Sequence, residues 1–418
     1  MIEFYGAKKE VGRSMIKIND VFLDAGVKLS DPIELPDYDK EIDDVIITHA
    51  HLDHCGYLPH IAYKIKRIHA SKPTRDLIQL LLSDYQRIQK EKKFTTKEVY
   101  DVMQKIQIHE FNESFMIGKN KITLYDAGHI LGSCMVKIET AGKSYLYTGD
   151  LSVRETKILT GAETNIGADE LVIETTYSGD EDSIPSIKNA SKELLEIVKK
   201  TIEKKGHVII PTFAVGRGQN ILLVLADYIR SGALPNIPIY VDGMIKKANK
   251  IYRHNVIYAK RELQMRILTS MDDPFINPVF KIPRKKDKTD VLETPSIIVT
   301  TSGMISGGPV LTYLKHLVGD DKSTLCLVGY QVEGTRGRML LDGGKKINID
   351  NVDYDVKINV SQVHFSAHAD RNDLLRFIET LNKNKTIKKI YLVHGEEQKM
   401  QQFKKKLEKK FDAEVVIP

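Results

Sequence analysis

The sequence predicts an α/β protein built from two sheet-containing domains, one of them inserted into the other. Three observations carry this prediction. Short runs of β-branched residues bounded by Gly, Asp or Asn occupy the first part of the chain, two helical segments interrupt them, and strands alternate with helices from about residue 180 onward. Such alternation is typical of a mostly parallel sheet covered by helices.

The first part of the chain reads as strands with two helices between them. Apolar residues at helical spacing predict helices over 75–92 and 96–107. The predicted strands cover residues 15–25, 44–48, 121–125, 144–148 and 171–175.

The second part alternates strands and helices, and the earlier pattern then returns. Predicted helices cover 187–205, 216–230 and 309–318, and predicted strands cover 208–210, 237–241, 296–300 and 324–329. Beyond Val356 the sequence predicts strands over 357–360 and 389–393, with helices over 373–381 and 399–411. This return indicates that the second domain is inserted into the first.

Composition excludes several classes of protein. The 418 residues include 62 Lys+Arg and 56 Asp+Glu, a net charge of +6, and 42% are hydrophobic, which excludes a wholly disordered chain. No run approaches the roughly 20 apolar residues that a bilayer span requires, and three cysteines are too few for a disulfide framework. We therefore expect a soluble, cytoplasmic protein that does not associate with membranes.

Residues that bind metals follow the ends of several predicted strands. Four of them lie within six positions after strand 44–48, and three more follow later strands: His49, His51, Asp53, His54, His129, Asp150 and His394. Strand ends gather on one rim of a sheet, and imidazoles and carboxylates are the ligands of zinc-type ions. Seven ligands exceed the need of one tetrahedral zinc that keeps a water, so they predict two metals with one bridging carboxylate.

The motif His-Ala-His-Leu-Asp-His at 49–54 resembles the signature of the metallo-β-lactamase fold, with Asp24, His129 and Asp150 at its other motifs. The glycine-rich opening at 6–14 resembles one branch, the β-CASP ribonucleases of the archaeal cleavage and polyadenylation specificity factor endonuclease and RNase J group, in the short form without KH domains. The resemblance implies an αββα sandwich from residues 1–178 and 357–418, with a doubly wound, parallel-sheet β-CASP domain inserted over 179–356.

The resemblance also implies roles for individual residues. His49, His51 and His129 would hold one zinc, Asp53, His54 and His394 the other, and Asp150 would bridge the two Zn²⁺ ions. Asp24 would orient a ligand without binding metal. His394 favours RNA over DNA, because the DNA-repair branch has Val at that motif.

A proton donor is needed for the leaving oxygen. His368 is the predicted donor, Glu174 is predicted to orient it, and both belong with Asp53 to the predicted catalytic group. Taken without the resemblance, the alternatives are that Glu174 is a plain surface acid and that His368 is an ordinary loop residue.

Two glycine-bearing loops join strands to helices at 211–219 and 300–309, where backbone N–H groups can approach a phosphate. Such turns also serve simply as connections. We expect phosphate contacts from Ser302, Gly303, Gly307 and Gly308. Two arginines, Arg217 and Arg336, are expected to contact the RNA backbone, with ion pairs at the domain interface as the alternative. The basic runs 281–288 and 404–410 are typical of solvated faces, with RNA guidance as the alternative.

The predicted function is zinc-dependent hydrolysis of RNA phosphodiester bonds, leaving 3′-hydroxyl and 5′-phosphate ends, in RNA processing or decay. Endonuclease and 5′-to-3′ exonuclease action both remain open. The expected partner is single-stranded RNA, with a homodimer or association with related β-CASP or RNA-processing proteins as further possibilities. The alternatives are a non-catalytic RNA-binding or scaffold subunit and a small-molecule metallo-hydrolase of the same fold.

Overall fold

A computed structural model describes residues 1–30, 32–89, 93–270 and 272–418. The chain forms two compact units. The first consists of Met1–Glu155, Leu159–Ser183 and Ala367–Pro418, and the second of Thr156–Ile158 and Ile184–Ser366. Among the described residues, no helix has the length and apolar character needed to cross a membrane.

The first unit contains two mixed sheets. The first sheet has the order β1-β2-β3-β4-β5-β6. Its strands are β1 (Ile2–Phe4), β2 (Ile16–Ile18), β3 (Val21–Leu23), β4 (Ile42–Ile46), β5 (Ile65–Ala70) and β6 (Ile106–Ile108). The helices of this part are α1 (Leu52–Cys55), α2 (Lys72–Ile88) and α3 (Thr96–Gln104), together with a 3-10 helix over Leu58–Lys64.

The second sheet of this unit has the order β21-β20-β11-β10-β9-β8-β7. Its first five strands along the chain are β7 (Ser114–Ile117), β8 (Asn120–Asp126), β9 (Cys134–Thr140), β10 (Lys143–Tyr147) and β11 (Glu170–Glu174). The end of the chain adds β20 (Lys389–Val393) and β21 (Glu414–Val416), with helices α10 (Arg371–Asn384) and α11 (Glu397–Lys410).

Side chains of the second sheet alternate between two cores, as the two-residue period of a strand requires. Tyr145 and Val172 pack with Leu23 of the first sheet. Their neighbours Leu146 and Leu171 face the opposite way and pack against α10 and α11. The two sheets therefore lie face to face, with helices covering the far side of the second. This is the predicted αββα arrangement.

The second unit contains a six-stranded sheet in the order β14-β13-β15-β12-β16-β19, and every neighbouring pair is parallel. Its strands are β12 (Val208–Pro211), β13 (Ile239–Val241), β14 (Phe280–Lys281), β15 (Ile297–Thr300), β16 (Thr324–Val328) and β19 (Asn359–Val363). An antiparallel hairpin is formed by β17 (Lys346–Ile349) and β18 (Val352–Asp355).

The helices of the second unit precede or connect these parallel strands. They are α4 (Ile187–Glu203), α5 (Arg217–Arg230), α6 (Ile245–His254), α7 (Arg261–Leu268), α8 (Val310–Leu317) and α9 (Arg336–Leu341). Short 3-10 helices cover Val256–Tyr258, Pro274–Ile276 and Thr289–Val291.

Three sequence-based predictions differ from the structure. The single strand predicted over 15–25 is a hairpin of β2 and β3, because Asn19 adopts a left-handed conformation that reverses the chain. The helix predicted over 96–107 ends at Gln104, and residues 106–108 form strand β6. The helix predicted over 75–92 begins earlier, at Lys72, and ends at Ile88, and Lys90, Glu91 and Lys92 lie outside the described residues.

Residues 357–366 also differ from the sequence-based domain boundary. They were expected in the second part of the metallo-β-lactamase domain, yet they belong to the second unit. The reason is β19, which pairs in parallel with β16 along five residues, from Thr324 opposite Asn359 to Val328 opposite Val363. At the earlier boundary, the first unit continues to Ser183 rather than ending at residue 178.

Candidate metal centre

The candidate site lies at one edge of the second sheet of the first unit. Strands β10, β11 and β20 are parallel, and β8 runs in the same direction because β9 is antiparallel to both β8 and β10. Their carboxyl ends therefore meet at one edge, which carries His129, Asp150, Glu174 and His394. The loop after β4 brings in the residues of the 49–54 motif.

A hydrogen bond attaches the β4 loop to the second sheet. The Cys134 N–H donates to the Thr48 carbonyl oxygen at 2.9 Å. Beyond Thr48 the chain turns into α1, which begins at Leu52 with His51 in the capping position. This short helix directs Asp53 and His54 toward the same space as His49.

The first group of ligand-type atoms comprises His49, His51, His129 and Asp150. Nδ1 of His51 lies 3.1 Å from Nε2 of His49 and 3.2 Å from Nε2 of His129. Oδ2 of Asp150 lies 3.6 Å from the same nitrogen of His49 and 3.8 Å from that of His129. Ligand atoms bound tetrahedrally to a zinc-type ion at about 2.05 Å lie about 3.3 Å apart, so this spacing fits a metal.

The second group comprises Asp53, His54, Asp150 and His394. Oδ1 of Asp150 lies 3.3 Å from Nε2 of His54 and 3.3 Å from Nδ1 of His394. Nε2 of His394 lies 3.5 Å from Oδ2 of Asp53. The two carboxylate oxygens of Asp150 thus face different groups, which is the arrangement of a bridging ligand.

Two buried atoms of the second group support metal binding independently. Among the described residues, Oδ1 of Asp150 and Nε2 of His394 are fully shielded from solvent and have no hydrogen-bond partner. Leaving a buried polar atom unsatisfied costs free energy, so such atoms call for a water or an ion. The donor set of imidazoles and carboxylates fits a cation of the zinc type.

Burial and charge set the protonation of the histidines. Burial lowers the pKa of His49 and His129 well below the usual value and that of His51 to about 4, so these imidazoles are neutral, the form that binds metal. Burial opposes a charge on His54, yet the carboxylates of Asp150 and Asp24 raise its pKa well above the ordinary value. The shifts are opposite because burial prevails at His49, beside the single carboxylate of Asp150, whereas two carboxylates act on His54.

Asp24 lies behind the ligands and is fully buried. Its carboxylate lies 2.8 Å from Nδ1 of His54, and it accepts hydrogen bonds from the Thr48 N–H at 2.7 Å and from the Tyr147 hydroxyl at 2.9 Å. With Nδ1 of His54 held in this way, Nε2 faces Asp150. The Asp24 carboxylate therefore holds the ring of His54, one of the ligand-type residues.

A backbone carbonyl holds His129 in a similar way. Nδ1 of His129 lies 2.8 Å from the carbonyl oxygen of Ala367. Sequence reasoning missed this contact, and it also missed the Tyr147 hydroxyl, because neither a carbonyl oxygen nor the last residue of an apolar strand carries a sequence signal. Outer contacts of this kind fix the tautomer and ring orientation of a metal-binding histidine.

Glu174 and His368 form a pair beside the first ligand group. Oε1 of Glu174 lies 3.0 Å from Nδ1 of His368 and accepts the Leu151 N–H at 2.9 Å. The His368 ring lies 4.5 Å from the His129 ring, centre to centre. Glu174 is buried in β11, so the reading of this residue as a surface acid is wrong.

Arg154 anchors the segment that carries His368. Its guanidinium forms ion pairs with Asp370 and Asp373 at the start of α10. The Ala369 N–H also donates to the Leu151 carbonyl oxygen at 2.8 Å. The loop that follows Asp150 and the loop that contains His368 are thereby joined.

The six predicted substrate-binding residues belong to the second unit and not to this cluster. Ser302 accepts hydrogen bonds from the backbone of Ser306 at 3.0 Å and Gly307 at 3.3 Å, which closes the loop on itself. Arg336 donates to the carbonyl oxygens of Asn348 at 3.0 Å and Ile305 at 3.4 Å. Gly303 and Gly308 lie in the loop after β15, and Arg217 is the first residue of α5, which follows β12.

Three family descriptions match the chain. They are the metallo-beta-lactamase superfamily over residues 23–205, the Beta-Casp domain over 218–340, and the Zn-dependent metallo-hydrolase RNA specificity domain over 353–418.

Several archaeal proteins are similar over most of their length. An RNase J-like protein of Methanocaldococcus jannaschii is 38% identical over 95% of this chain and 92% of its own length. Transcription termination factor FttA of the same organism is 35% identical over 100% of this chain and 70% of its own, and that of Thermococcus kodakarensis is 35% identical over 99% and 69%.

A solved structure shares the fold. The crystal structure of a protein of unknown function from Enterococcus faecalis V583 aligns with a TM-score of 0.60 and 15% identity, over 100% of this chain and 97% of that one. The matched family descriptions and the sequence relatives identify the family. The chain belongs to the β-CASP metallo-β-lactamase family, in the RNase J group of metal-dependent hydrolases that process RNA.

Proposed function

We propose that this chain hydrolyses RNA phosphodiester bonds at a site holding two Zn²⁺ ions, and that it leaves 3′-hydroxyl and 5′-phosphate ends. The observation that carries the proposal is the position of Asp150. One oxygen of its carboxylate faces His49 and His129, and the other faces His54 and His394. A single carboxylate shared by two ligand groups is the arrangement that two neighbouring metal ions require.

The proposed ligands are divided between the two metals. One ion is held by His49, His51 and His129, and the other by Asp53, His54 and His394. Asp150 binds both ions, one through each carboxylate oxygen. When bound, such a pair of ions supplies a hydroxide-like nucleophile near neutral pH and offsets the charge that develops on phosphoryl oxygens.

Proton delivery to the leaving group is assigned to His368. Because Glu174 lies at its Nδ1, the other ring nitrogen is directed away from the carboxylate and can donate a proton to the departing 3′-oxygen of the RNA. The carboxylate holds the ring in orientation and stabilises its cationic form. The product then has a 3′-hydroxyl on one fragment and a 5′-phosphate on the other.

RNA contacts are proposed at the strand ends of the second unit and along the C-terminal segment. Residues 353–418 match an RNA specificity domain, and the loop with Ser302, Gly303, Gly307 and Gly308 precedes α8, whose N-terminus favours an anion. The N–H groups of Ser302 and Gly307 themselves donate within this loop. We assign single-stranded RNA as the partner and the cytoplasm as the location. Self-association and association with related RNA-processing proteins remain proposals of the same kind.

The test is cleavage of one RNA labelled internally or at its 5′ end. We expect the zinc-loaded wild type to cleave it and Asp150→Ala to have no measurable activity, because both ligand groups lose a member. Asp20→Ala, a change at an exposed carboxylate outside both ligand groups and outside the proposed RNA contacts, is the matched control and keeps full activity. Release of mononucleotides indicates exonuclease action, and discrete internal fragments indicate endonuclease action.

Other outcomes separate the alternatives. A wild type that binds RNA and leaves it intact indicates a scaffold or RNA-binding subunit. Hydrolysis of a simple thioester without RNA cleavage indicates a small-molecule metallo-hydrolase. Cleavage of RNA by Asp150→Ala at the wild-type rate contradicts the proposed site.

A further inference from the structure

Two exposed aromatic side chains follow neighbouring strands of the second unit. Phe213 comes two residues after β12 and is 38% exposed, and Tyr330 comes two residues after β16 and is 41% exposed. The two strands are parallel and adjacent, with Val208 opposite Thr324. Their carboxyl ends therefore meet at the same edge of the sheet, and so do the loops that carry the two rings.

Arg217 links these two loops. Its guanidinium carbon lies 4.7 Å from the centre of the Phe213 ring, in a cation–π contact. Nη1 of the same side chain donates to the carbonyl oxygen of Val328 at 3.2 Å, at the end of β16. Arg217 is the first residue of α5, and its side chain extends from the loop of Phe213 to the loop of Tyr330.

The glycine between Val328 and Tyr330 makes this arrangement possible. Gly329 has a φ of +87°, and a Cβ atom placed there would lie 2.2 Å from Nη1 of Arg217. Any side chain at this position would displace the guanidinium. The backbone that precedes Tyr330 is therefore shaped around the arginine, which indicates a built arrangement and not two unrelated surface rings.

The face of an exposed aromatic ring leaves nonpolar area in water that a flat partner can cover by stacking. Nucleobases have flat faces, and a neighbouring guanidinium attracts the phosphates that connect them. One acidic side chain, Glu333, follows in the same loop and is exposed, so the charge of the surface is mixed. A stretch of RNA combines flat faces with negative charge, which matches two rings joined by an arginine.

We propose that Phe213 and Tyr330 stack on unpaired bases of single-stranded RNA, with Arg217 between their loops contacting the backbone. This inference rests on the proposed ribonuclease function and adds where the bases bind. Stacking accepts any base, so the surface would hold RNA without selecting its sequence.

The experiment measures binding of two probes to the full-length chain in an Asp150→Ala background, so that the RNA stays intact. One probe is an oligouridine of about ten nucleotides, and the other is a ribose-phosphate oligomer of the same length without bases. The ring-removing changes are Phe213→Leu and Tyr330→Leu. Phe213→Trp and Tyr330→Phe keep a ring, and Tyr63→Leu and Tyr100→Leu are controls at aromatic side chains that are 78% and 61% exposed.

Loss of either ring is expected to weaken oligouridine binding by about fivefold or more and to leave binding of the abasic oligomer unchanged. The ring-keeping variants and the two controls are expected to bind like the parent. Unchanged oligouridine affinity in both Leu variants overturns the inference, and so does an equal loss for the two probes. Capture of a protein partner at these rings with unchanged RNA affinity overturns it as well.

Failure of the underlying function gives a different result. If the parent binds neither probe and the wild type leaves RNA intact, the proposed function fails, and the stacking surface fails with it. If the wild type cleaves RNA and the Leu variants bind oligouridine normally, the stacking surface alone fails.

Discussion

Oε1 of Glu174 lies 3.0 Å from Nδ1 of His368, although 194 positions separate the two residues in the chain. Glu174 ends strand β11, and His368 lies three residues before α10, after the chain has passed through residues 184–366 of the second unit. The imidazole is only slightly exposed, whereas the carboxylate is buried. Such a pair positions one ring nitrogen by holding the other, which is the arrangement of a general acid and its orienting carboxylate.

The role of His368 can be tested with the leaving group of the substrate. His368→Ala is expected to cleave ordinary RNA about 100-fold more slowly or worse, because the departing oxygen no longer receives a proton. In an RNA with sulfur at the 3′-bridging position, the leaving group is a thiolate, which departs without protonation. Most of the defect should therefore disappear on that substrate. The measurement is the single-turnover rate on the two substrates.

Two comparisons make the leaving-group test decisive. Asp150→Ala serves as the control, because loss of a metal ligand should impair cleavage of both substrates. Glu174→Gln is expected to show the same pattern on the two substrates as His368→Ala, with a smaller loss of rate on ordinary RNA, and to retain its zinc. If His368→Ala is equally slow on both substrates, His368 does not act as the proton donor.

Asp24 is expected to determine zinc affinity without binding zinc. Asp24→Asn keeps the shape of the side chain and tolerates the left-handed backbone at this position, where φ is +62°, but removes the charge beside His54. We expect about 10- to 100-fold weaker zinc binding, the usual effect of removing an outer carboxylate. Zinc titration with a competing chelator measures this affinity. The control Asp20→Asn, on an exposed turn, should bind zinc like the wild type. Equal zinc affinities in all three proteins would exclude a role of Asp24 in zinc binding.

Gly395 is expected to control the position of His394. A Cβ atom at residue 395 would lie 2.4 Å from Oγ1 and 2.5 Å from the carbonyl oxygen of Thr175. Gly395→Ala should therefore lower the free energy of unfolding by about 1–3 kcal/mol and reduce zinc content. Gly319→Ala is the control, because among the described residues no heavy atom lies within 4 Å of a Cβ there. Normal stability and zinc content in Gly395→Ala would contradict the tight fit.

His60 is expected to make the protein sensitive to acid. Burial, helped by the charge of Lys93, lowers the pKa of His60 to about 4 from an unfolded value near 6.5. Between these values the unfolded chain binds a proton that the folded chain does not, so the free energy of unfolding falls as the pH falls from 6.5 to 4.

His60→Gln should remove part of that acid sensitivity. We expect the metal-free wild type to lose about 1–3 kcal/mol more than the variant between pH 7 and pH 4, as measured by urea unfolding. The other buried histidines are common to both proteins and cancel in the comparison. If the free energy of unfolding changes equally with pH in the two proteins, His60 does not contribute to the acid sensitivity.

Much of the candidate site follows from sequence because its residues share one rule. His129, Asp150, Glu174 and His394 each follow or end a strand, and strands that run in the same direction bring their carboxyl ends together. The motif that contains His49 is dense enough to be recognised without that rule. The parallel sheet of the second unit was predicted from the alternation of strands and helices, whereas the αββα fold was implied by the resemblance of the motifs.

Sequence could not predict features that depend on partners distant in the chain. In sequence, strand β19 resembles the start of the second part of the metallo-β-lactamase domain. Only its pairing with β16 assigns it to the second unit. The carbonyl oxygen that holds His129 comes from Ala367, whose side chain carries no chemistry. Phe213 and Tyr330 are ordinary apolar residues in sequence until the register of β12 and β16 brings their loops to one edge.

The most direct test of the account is RNA cleavage measured as zinc is added back to metal-free protein. Because Asp150 belongs to both ligand groups, we predict that activity appears only as the second equivalent binds and reaches its maximum at about two zinc ions per chain. The Asp150→Ala protein should remain inactive throughout the titration. Full activity at one zinc per chain, or cleavage by the metal-free protein, would contradict the two-metal site.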